Sequence, residues 1–222
     1  MVEQHPLPNL IAEELRKRIW SGEWEWDQRI AEQSVAAEFA VSRTALREAL
    51  KTLQADGLVV MRPRRGTFVR SFTASDLYAL GEARIILEGF AFRMALQQAA
   101  QTPRRGLSAI IREMEAAAAQ GHWEDLLDAD LRFHGTIVHA CGNPLVNHFY
   151  ASIQGQIRMV FARFRFEYPH PSLLSSEHQT LLSSLERADE ATVVQTLTTH
   201  IQDGTQRLVG RLRESHSEEI ER

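Results

Sequence analysis

Val41-Ser-Arg-Thr-Ala-Leu-Arg-Glu-Ala-Leu50, followed by Arg62-Pro-Arg-Arg-Gly-Thr-Phe-Val-Arg70, decides how the front of this chain folds. Leu46, Leu50 and Leu53 recur at helical spacing, which predicts a helix with one leucine face. Ser42 stands where a hydroxyl caps the free N–H groups of a first turn. Gly57 stands where a helix ends on left-handed backbone. Arg43 and Arg47 are four residues apart, so they project from nearly one face. The second stretch places the β-prone runs Leu58–Met61 and Thr67–Val69 around Arg62-Pro-Arg-Arg-Gly66, a hairpin with an arginine-rich tip. Upstream, Leu10, Ile11, Leu15 and Ile19 predict a helix ending at Trp20, and Val35, Ala36 and Phe39 a shorter one. Three helices followed by a β-hairpin wing make a winged helix-turn-helix.

The charge placement suits nucleic acid. An arginine matches guanine O6 and N7 with two parallel hydrogen bonds, so Arg43 and Arg47 on a first helical turn fit the major groove. Arg64 and Arg65 at the wing tip are expected at phosphates. The plainer alternative is a surface helix with solvated arginines beside an ordinary hairpin. A formal net charge of −4 does not exclude DNA, because the distribution is uneven. Residues 1–72 hold 11 basic and 10 acidic groups, whereas 73–222 hold the remaining 14 and 19. From Arg62 to Arg70 there are four arginines and no acid.

With these residues in place, a resemblance becomes specific. Ser42-Arg-Thr-x-Leu-Arg-Glu-Ala-Leu50, Asp56-Gly-Leu58 and Arg65-Gly-Thr-Phe-Val69 resemble the signature of the GntR family of bacterial transcription regulators, over about residues 7 to 70. The resemblance implies that Arg43 and Arg47 contact operator bases, that Thr44 and Gln33 lie close to the DNA, and that Gly66 approaches the minor groove. Two departures from the pattern and one variable position stand out. Ala45 stands where proline is common, Trp26-Asp27 replaces a frequent Pro-Gly, and Gln33 stands where some members carry arginine.

The rest of the chain reads as helix. Two domains are expected, 1–72 and 73–222, joined by the short polar linker Ser71–Ser75, with Thr73 or Ser75 as candidate caps. Helical segments are expected over Asp76–Gln101, Leu107–Ala119 opened by Pro103, and Trp123–Cys141 ended by Gly142-Asn-Pro144. Leu145–Phe166 follows, then a turn at Glu167–Pro171, Ser176–Arg187, and Glu190–Glu214 capped by Asp189. The fold class is therefore mainly α, with an all-α antiparallel bundle of six to seven helices behind the winged module. The single cysteine, Cys141, excludes an internal disulfide and reads as a small buried apolar residue. No apolar run approaches the ~20 residues of a membrane span, and Met1-Val-Glu-Gln-His5 lacks a signal-peptide pattern, so a cytoplasmic protein is expected.

The chemistry of the bundle concentrates in Asp130, His134, His178 and His200. Asp130 and His134 are one helical turn apart, and the two later histidines can reach the same point from neighbouring walls. Three neutral imidazoles and a carboxylate suit a borderline divalent metal: zinc first, with nickel or manganese as alternatives. With nine histidines in the chain, unrelated core and surface histidines are the competing reading. His139, His148 and His170 lack a comparable helical partner.

Arg84-x-x-x-Glu88, Asp130-x-x-x-His134, Gly142-Asn143, His178 and His200 resemble the FCD ligand-binding domain of the FadR subfamily, over about residues 76 to 213. The resemblance implies that Asp130, His134, His178 and His200 hold a metal, and that the metal helps bind a small carboxylate metabolite. Arg84 and Asn143 are then its effector contacts, although Arg84–Glu88 also fits an ordinary helix salt bridge. The expected protein is a homodimeric transcription regulator, a repressor by preference, on an inverted-repeat operator. Direct metal sensing and a metal-dependent enzyme are the alternatives; no nucleophile or general-base motif accompanies the site.

Overall fold

The computed structural model describes residues 7–98, 103–164, 171–187 and 189–220. By internal contacts the chain forms two compact units. One gathers the chain through Ser71 with the segment Gly155–Arg163, and the other gathers Phe72–Gln154 with the chain from Phe164 onward.

In the first unit, α3 (Arg43–Ala55) buries Leu46, Ala49, Leu50 and Leu53 on one face. That face packs on α1 (Leu7–Trp20), which buries Ile11, Ala12, Leu15 and Ile19. Leu10, expected in the same stripe, is exposed, because one residue turns the side chain about 100° away from it. Short α2 (Glu32–Glu38) buries Val35 and Ala36. Phe39 caps its end half-buried, with the Arg18 guanidinium 4.6 Å from its ring centroid.

Strand β1 (Val59–Arg62) pairs antiparallel with β2 (Gly66–Val69), Val59 opposite Val69 and Arg62 opposite Gly66. The tip turns through left-handed backbone at Arg64 (φ 60°) and Gly66 (φ 101°). A stretch before α2 adds to the wing: Ile30 N–H donates to Thr67 O at 2.9 Å and Val69 N–H to Gln28 O at 2.9 Å.

In the second unit, α4 (Ala74–Gln97) starts directly after Thr73, so the linker is shorter than expected. Thr73 Oγ1 accepts from Asp76 N–H at 3.2 Å and Asp76 Oδ2 accepts from Thr73 N–H at 2.8 Å, a reciprocal capping box. Then come α5 (Arg104–Gln120), α6 (Trp123–Ala140), α7 (Pro144–Arg163), α8 (Pro171–Arg187) and α9 (Glu190–Ile220). Among the described residues α4 to α9 make six helices, the lower end of the expected range, with α7 from Gly155 onward grouped in the first unit.

Helix α8 begins at Pro171, ahead of the expected Ser176, because proline suits a first turn whose N–H groups are free anyway. His178 therefore lies inside that helix, not at its start. Asp189 Oδ1 accepts from Thr192 N–H at 2.9 Å and opens α9 as expected. The turn through residues 167–170, His170, the expected end of the first long segment at Gln101, and Ala188 lie outside the described residues.

Helix α4 packs on α9 and α6, and α5 on α6 and α8. Between them lies a core that includes Phe92, Leu107, Met114, Phe133, Tyr150 and Leu197. Cys141 is free and buried in that core, as its sequence context suggests. No described helix is long and apolar enough to cross a membrane.

Candidate nucleic-acid surface and metal centre

The first unit displays its charge outward. Ser42 Oγ accepts from Ala45 N–H at 3.1 Å, so it caps α3 and sets where the helix starts. Arg43, Thr44 and Arg47 follow on exposed positions of that helix, and Gln33 is exposed on α2. Arg64 and Arg65 are exposed at the wing tip, with Gly66 half-buried behind them.

Two features were not legible in the sequence. Glu32 joins the elements of the reading head, taking Arg47 Nε at 3.0 Å on one oxygen and Thr67 Oγ1 at 3.0 Å on the other. Partial burial works against its charge, but the hydrogen bonds from Arg47 and Thr67 hold its carboxyl below the ordinary range. Exposed Arg29 lies beside the wing: a Cβ at Gly66 would sit 3.3 Å from its Nε. Both placements depend on the segment before α2 pairing with the wing, which no local periodicity announces.

The second unit buries a cluster of ionisable groups. Asp130 and His134 from α6, His178 from α8 and His200 from α9 each offer a ligand atom, and these atoms lie within 4.8 Å of one another. Asp130, His134 and His178 are buried, and His200 is nearly so. Each imidazole is held on its Nδ1 side. His178 Nδ1 lies 2.7 Å from Leu174 O, and His200 Nδ1 3.1 Å from Glu177 Oε2. His134 Nδ1 lies 2.6 Å from Glu88 Oε2, although the two are not aligned as a straight hydrogen bond. These acceptors call for a proton on Nδ1, which leaves Nε2 with its lone pair on every ring.

The consequence is a lone-pair conflict at the centre. His178 Nε2 faces His134 Nε2 at 3.1 Å and Asp130 Oδ1 at 3.1 Å, so with the ring proton on Nδ1 of both imidazoles two lone pairs point at one another. Asp130 Oδ2 is buried without a hydrogen-bond partner. Ligand atoms that share an ion at about 2.1 Å stand roughly 3.0–3.4 Å apart, so these edges fit a common divalent cation. The residues present match the donor set of a metal of the zinc class.

Behind the four groups lies a second ring of charge. Arg84 Nε donates to Glu88 Oε1 at 2.7 Å, and both side chains are buried. Among the described residues this is the one hydrogen bond the Arg84 guanidinium makes. Burial by itself works against both charges. Arg84 and His134 nevertheless hold Glu88 down at about 2, and Glu88 holds Arg84 above its ordinary value. Burial lowers His200 to about 4, against the pull of Glu177, so its imidazole is neutral and able to ligate. Burial pushes the Tyr150 hydroxyl, beside Glu88 and Arg84, well up. Asn143 is engaged elsewhere: its Oδ1 accepts from Leu145 N–H at 3.0 Å and Val146 N–H at 3.3 Å, capping α7.

Comparison with known proteins finds a match for two stretches of the chain. The family of bacterial regulatory proteins described as the gntR family matches residues 8–69, and the FCD domain matches residues 79–203. The Nta operon transcriptional regulator of Aminobacter aminovorans is 31% identical over 175 residues, covering 79% of this chain and 81% of that protein. The gluconate operon transcriptional repressor of Bacillus subtilis is 25% identical over 198 residues, covering 87% and 81%. A GntR transcriptional regulator from Rhodococcus sp. RHA1 shares the fold, with a TM-score of 0.78 at 24% identity, over 91% of this chain and 97% of that structure.

Proposed function

Because this chain belongs to the gntR family of bacterial regulatory proteins and carries an FCD domain, it is a transcription regulator, and we propose that a small organic acid bound beside a divalent metal controls its operator affinity. Asp130, His134, His178 and His200 hold the metal in this reading. The observation that carries it is the facing pair of Nε2 nitrogens at 3.1 Å beside Asp130, an arrangement that a shared cation would satisfy with all three Nδ1 contacts kept. A bound ion would supply Lewis-acid attraction for one end of a carboxylate.

The chain's own contribution to the effector is Arg84. Its Nε is committed to Glu88, and its terminal nitrogens have no hydrogen-bond partner among the described residues, in a side chain only 9% exposed. Two parallel N–H groups of that kind suit a carboxylate. Asn143 enters as an effector contact only if it gives up its cap on α7.

On DNA, Arg43 and Arg47 read base edges, with Ser42, Thr44 and Gln33 nearby and Arg64, Arg65 and Gly66 of the wing at the backbone. Two copies of the chain acting on an inverted repeat, as a cytoplasmic repressor, complete the reading; the names of its relatives as operon repressors support that direction. An effector shifts the equilibrium only by its differential affinity for the DNA-competent and DNA-incompetent states.

The test combines elemental analysis with an operator gel shift. About one divalent ion per chain is expected. Hydroxycarboxylates such as gluconate and citrate should raise the melting temperature of metal-loaded protein and not of chelator-stripped protein, and one of them should release DNA. DNA release by zinc alone, with no organic acid, would replace this reading with direct metal sensing.

A further inference from the structure

Among the described residues, Glu88 is the one buried carboxylate that touches both Arg84 and a candidate metal ligand. Its Oε1 takes Arg84 Nε at 2.7 Å and its Oε2 lies 2.6 Å from His134 Nδ1. It is wholly buried, and it sits on α4, which contributes none of the four candidate metal ligands. Resting on the metal reading above, we propose that Glu88 is the positioning residue that sets the His134 tautomer for metal and fastens Arg84 to the same point.

The chemistry runs through the ring. A carboxylate at Nδ1 keeps the proton there, leaves Nε2 as the lone pair toward Asp130 and His178, and raises the basicity of that nitrogen. The other two imidazoles are held differently. His178 leans on the Leu174 carbonyl, and His200 on Glu177, which Arg207 also holds at 3.0 Å. The Glu177 side chain retains 19% exposure, so water can replace part of its role, whereas the Glu88 side chain is 0% exposed. A neutral amide at position 88 cannot serve both neighbours as the carboxylate does. Its carbonyl can accept from one of them, while its NH2 meets a second donor.

One carboxylate shared in this way links the two functions of the site. Arg84 cannot leave Glu88 for another anion without altering the charge on the group that orients His134. Metal affinity and carboxylate binding are therefore coupled through a single side chain, and the coupling is reciprocal.

The experiment is zinc affinity by chelator competition on the full chain, with four proteins in a cycle: wild type, Glu88→Gln, His134→Ala and the double variant. Glu88→Gln should weaken zinc about 10–100-fold. In the His134→Ala background the same substitution should change the residual affinity by less than about twofold, because its route to the metal is gone. The visible spectrum of cobalt-loaded Glu88→Gln should shift as well. Equal loss in both backgrounds would reduce Glu88 to a structural charge, and unchanged affinity in Glu88→Gln would remove it from the site. If wild type itself binds no zinc, the metal reading falls and takes this role with it. Should Glu88→Gln fail to fold with Arg84 left unpaired, Arg84→Met/Glu88→Gln removes both charges together; it should fold and still bind zinc weakly, and wild-type affinity in it would overturn the assignment.

Discussion

Two of the molecule's arginine–glutamate pairs have similar length and opposite surroundings. Arg47–Glu32 joins α3 to α2 at 3.0 Å with the arginine side chain 59% exposed, and Arg84–Glu88 closes at 2.7 Å with 9% and 0% exposed. Water screens the first, so the guanidinium can exchange a carboxylate for a base edge at small cost. The second cannot relax into solvent, and the buried Glu88 depends on Arg84 to stay ionised. The same two residue types thus form an exposed, exchangeable pair in one unit and a buried pair in the other. Surroundings, not chemistry, separate the roles.

The largest expected effect breaks the buried pair. Arg84→Met leaves Glu88 buried with His134 as its remaining partner and should cost about 3–5 kcal/mol in chemical denaturation. A cost no greater than that of breaking the exposed pair would end the comparison. Of similar size is metal removal. With free zinc a thousandfold above its dissociation constant, linkage should add about 4 kcal/mol to stability, so a chelator should lower the melting temperature markedly. His134→Ala and His200→Ala should lose both the ion and this response while keeping most of their circular-dichroism helix signal; full occupancy in both variants would return the histidines to a packing role.

On the exposed side, Arg43→Ala and Arg47→Ala should each cost about 1–3 kcal/mol on the cognate operator and relax discrimination at one base pair. Arg64→Ala and Arg65→Ala should weaken all sequences evenly and flatten the salt dependence. Gel-shift titrations at two salt concentrations separate the two classes. Thr73→Ala removes the capping box of α4 and should cost about 1 kcal/mol without altering zinc stoichiometry.

The smallest effect sharpens the comparison through pH. The Glu32 carboxyl is held below its ordinary 4.5, so its pair contributes stability above that pH and loses it as pH falls through the depressed value. The stability difference between wild type and Glu32→Gln should be under about 1 kcal/mol at neutral pH and should vanish in acid. A difference that grows on acidification has the wrong sign for this pair.

Most of the architecture was legible because it is local. The leucine face of α3, the Ser42 and Asp189 caps and the glycine-ended turns follow from spacing and propensity within a few residues. Errors fell where local signals are thin. Leu10 sits just off the buried stripe, and the start of α8 is marked only by a proline that reads equally as a turn.

The sequence alone determined a winged reading head with two arginines on one helical turn, and a helical bundle in which Asp130 and His134 share a face. Such statements need only the 3.6-residue period of a helix. Tertiary structure decided the rest. It brought His178 within 3.1 Å of His134 across 44 residues of chain and set His200 beside both. It also chose which buried carboxylate meets which ring, and laid Arg29 against Gly66. These pairings come from the packing of α4, α6, α8 and α9 and from a strand-like segment that docks on the wing. No periodicity within one element encodes contacts made only when separate elements close on a common core.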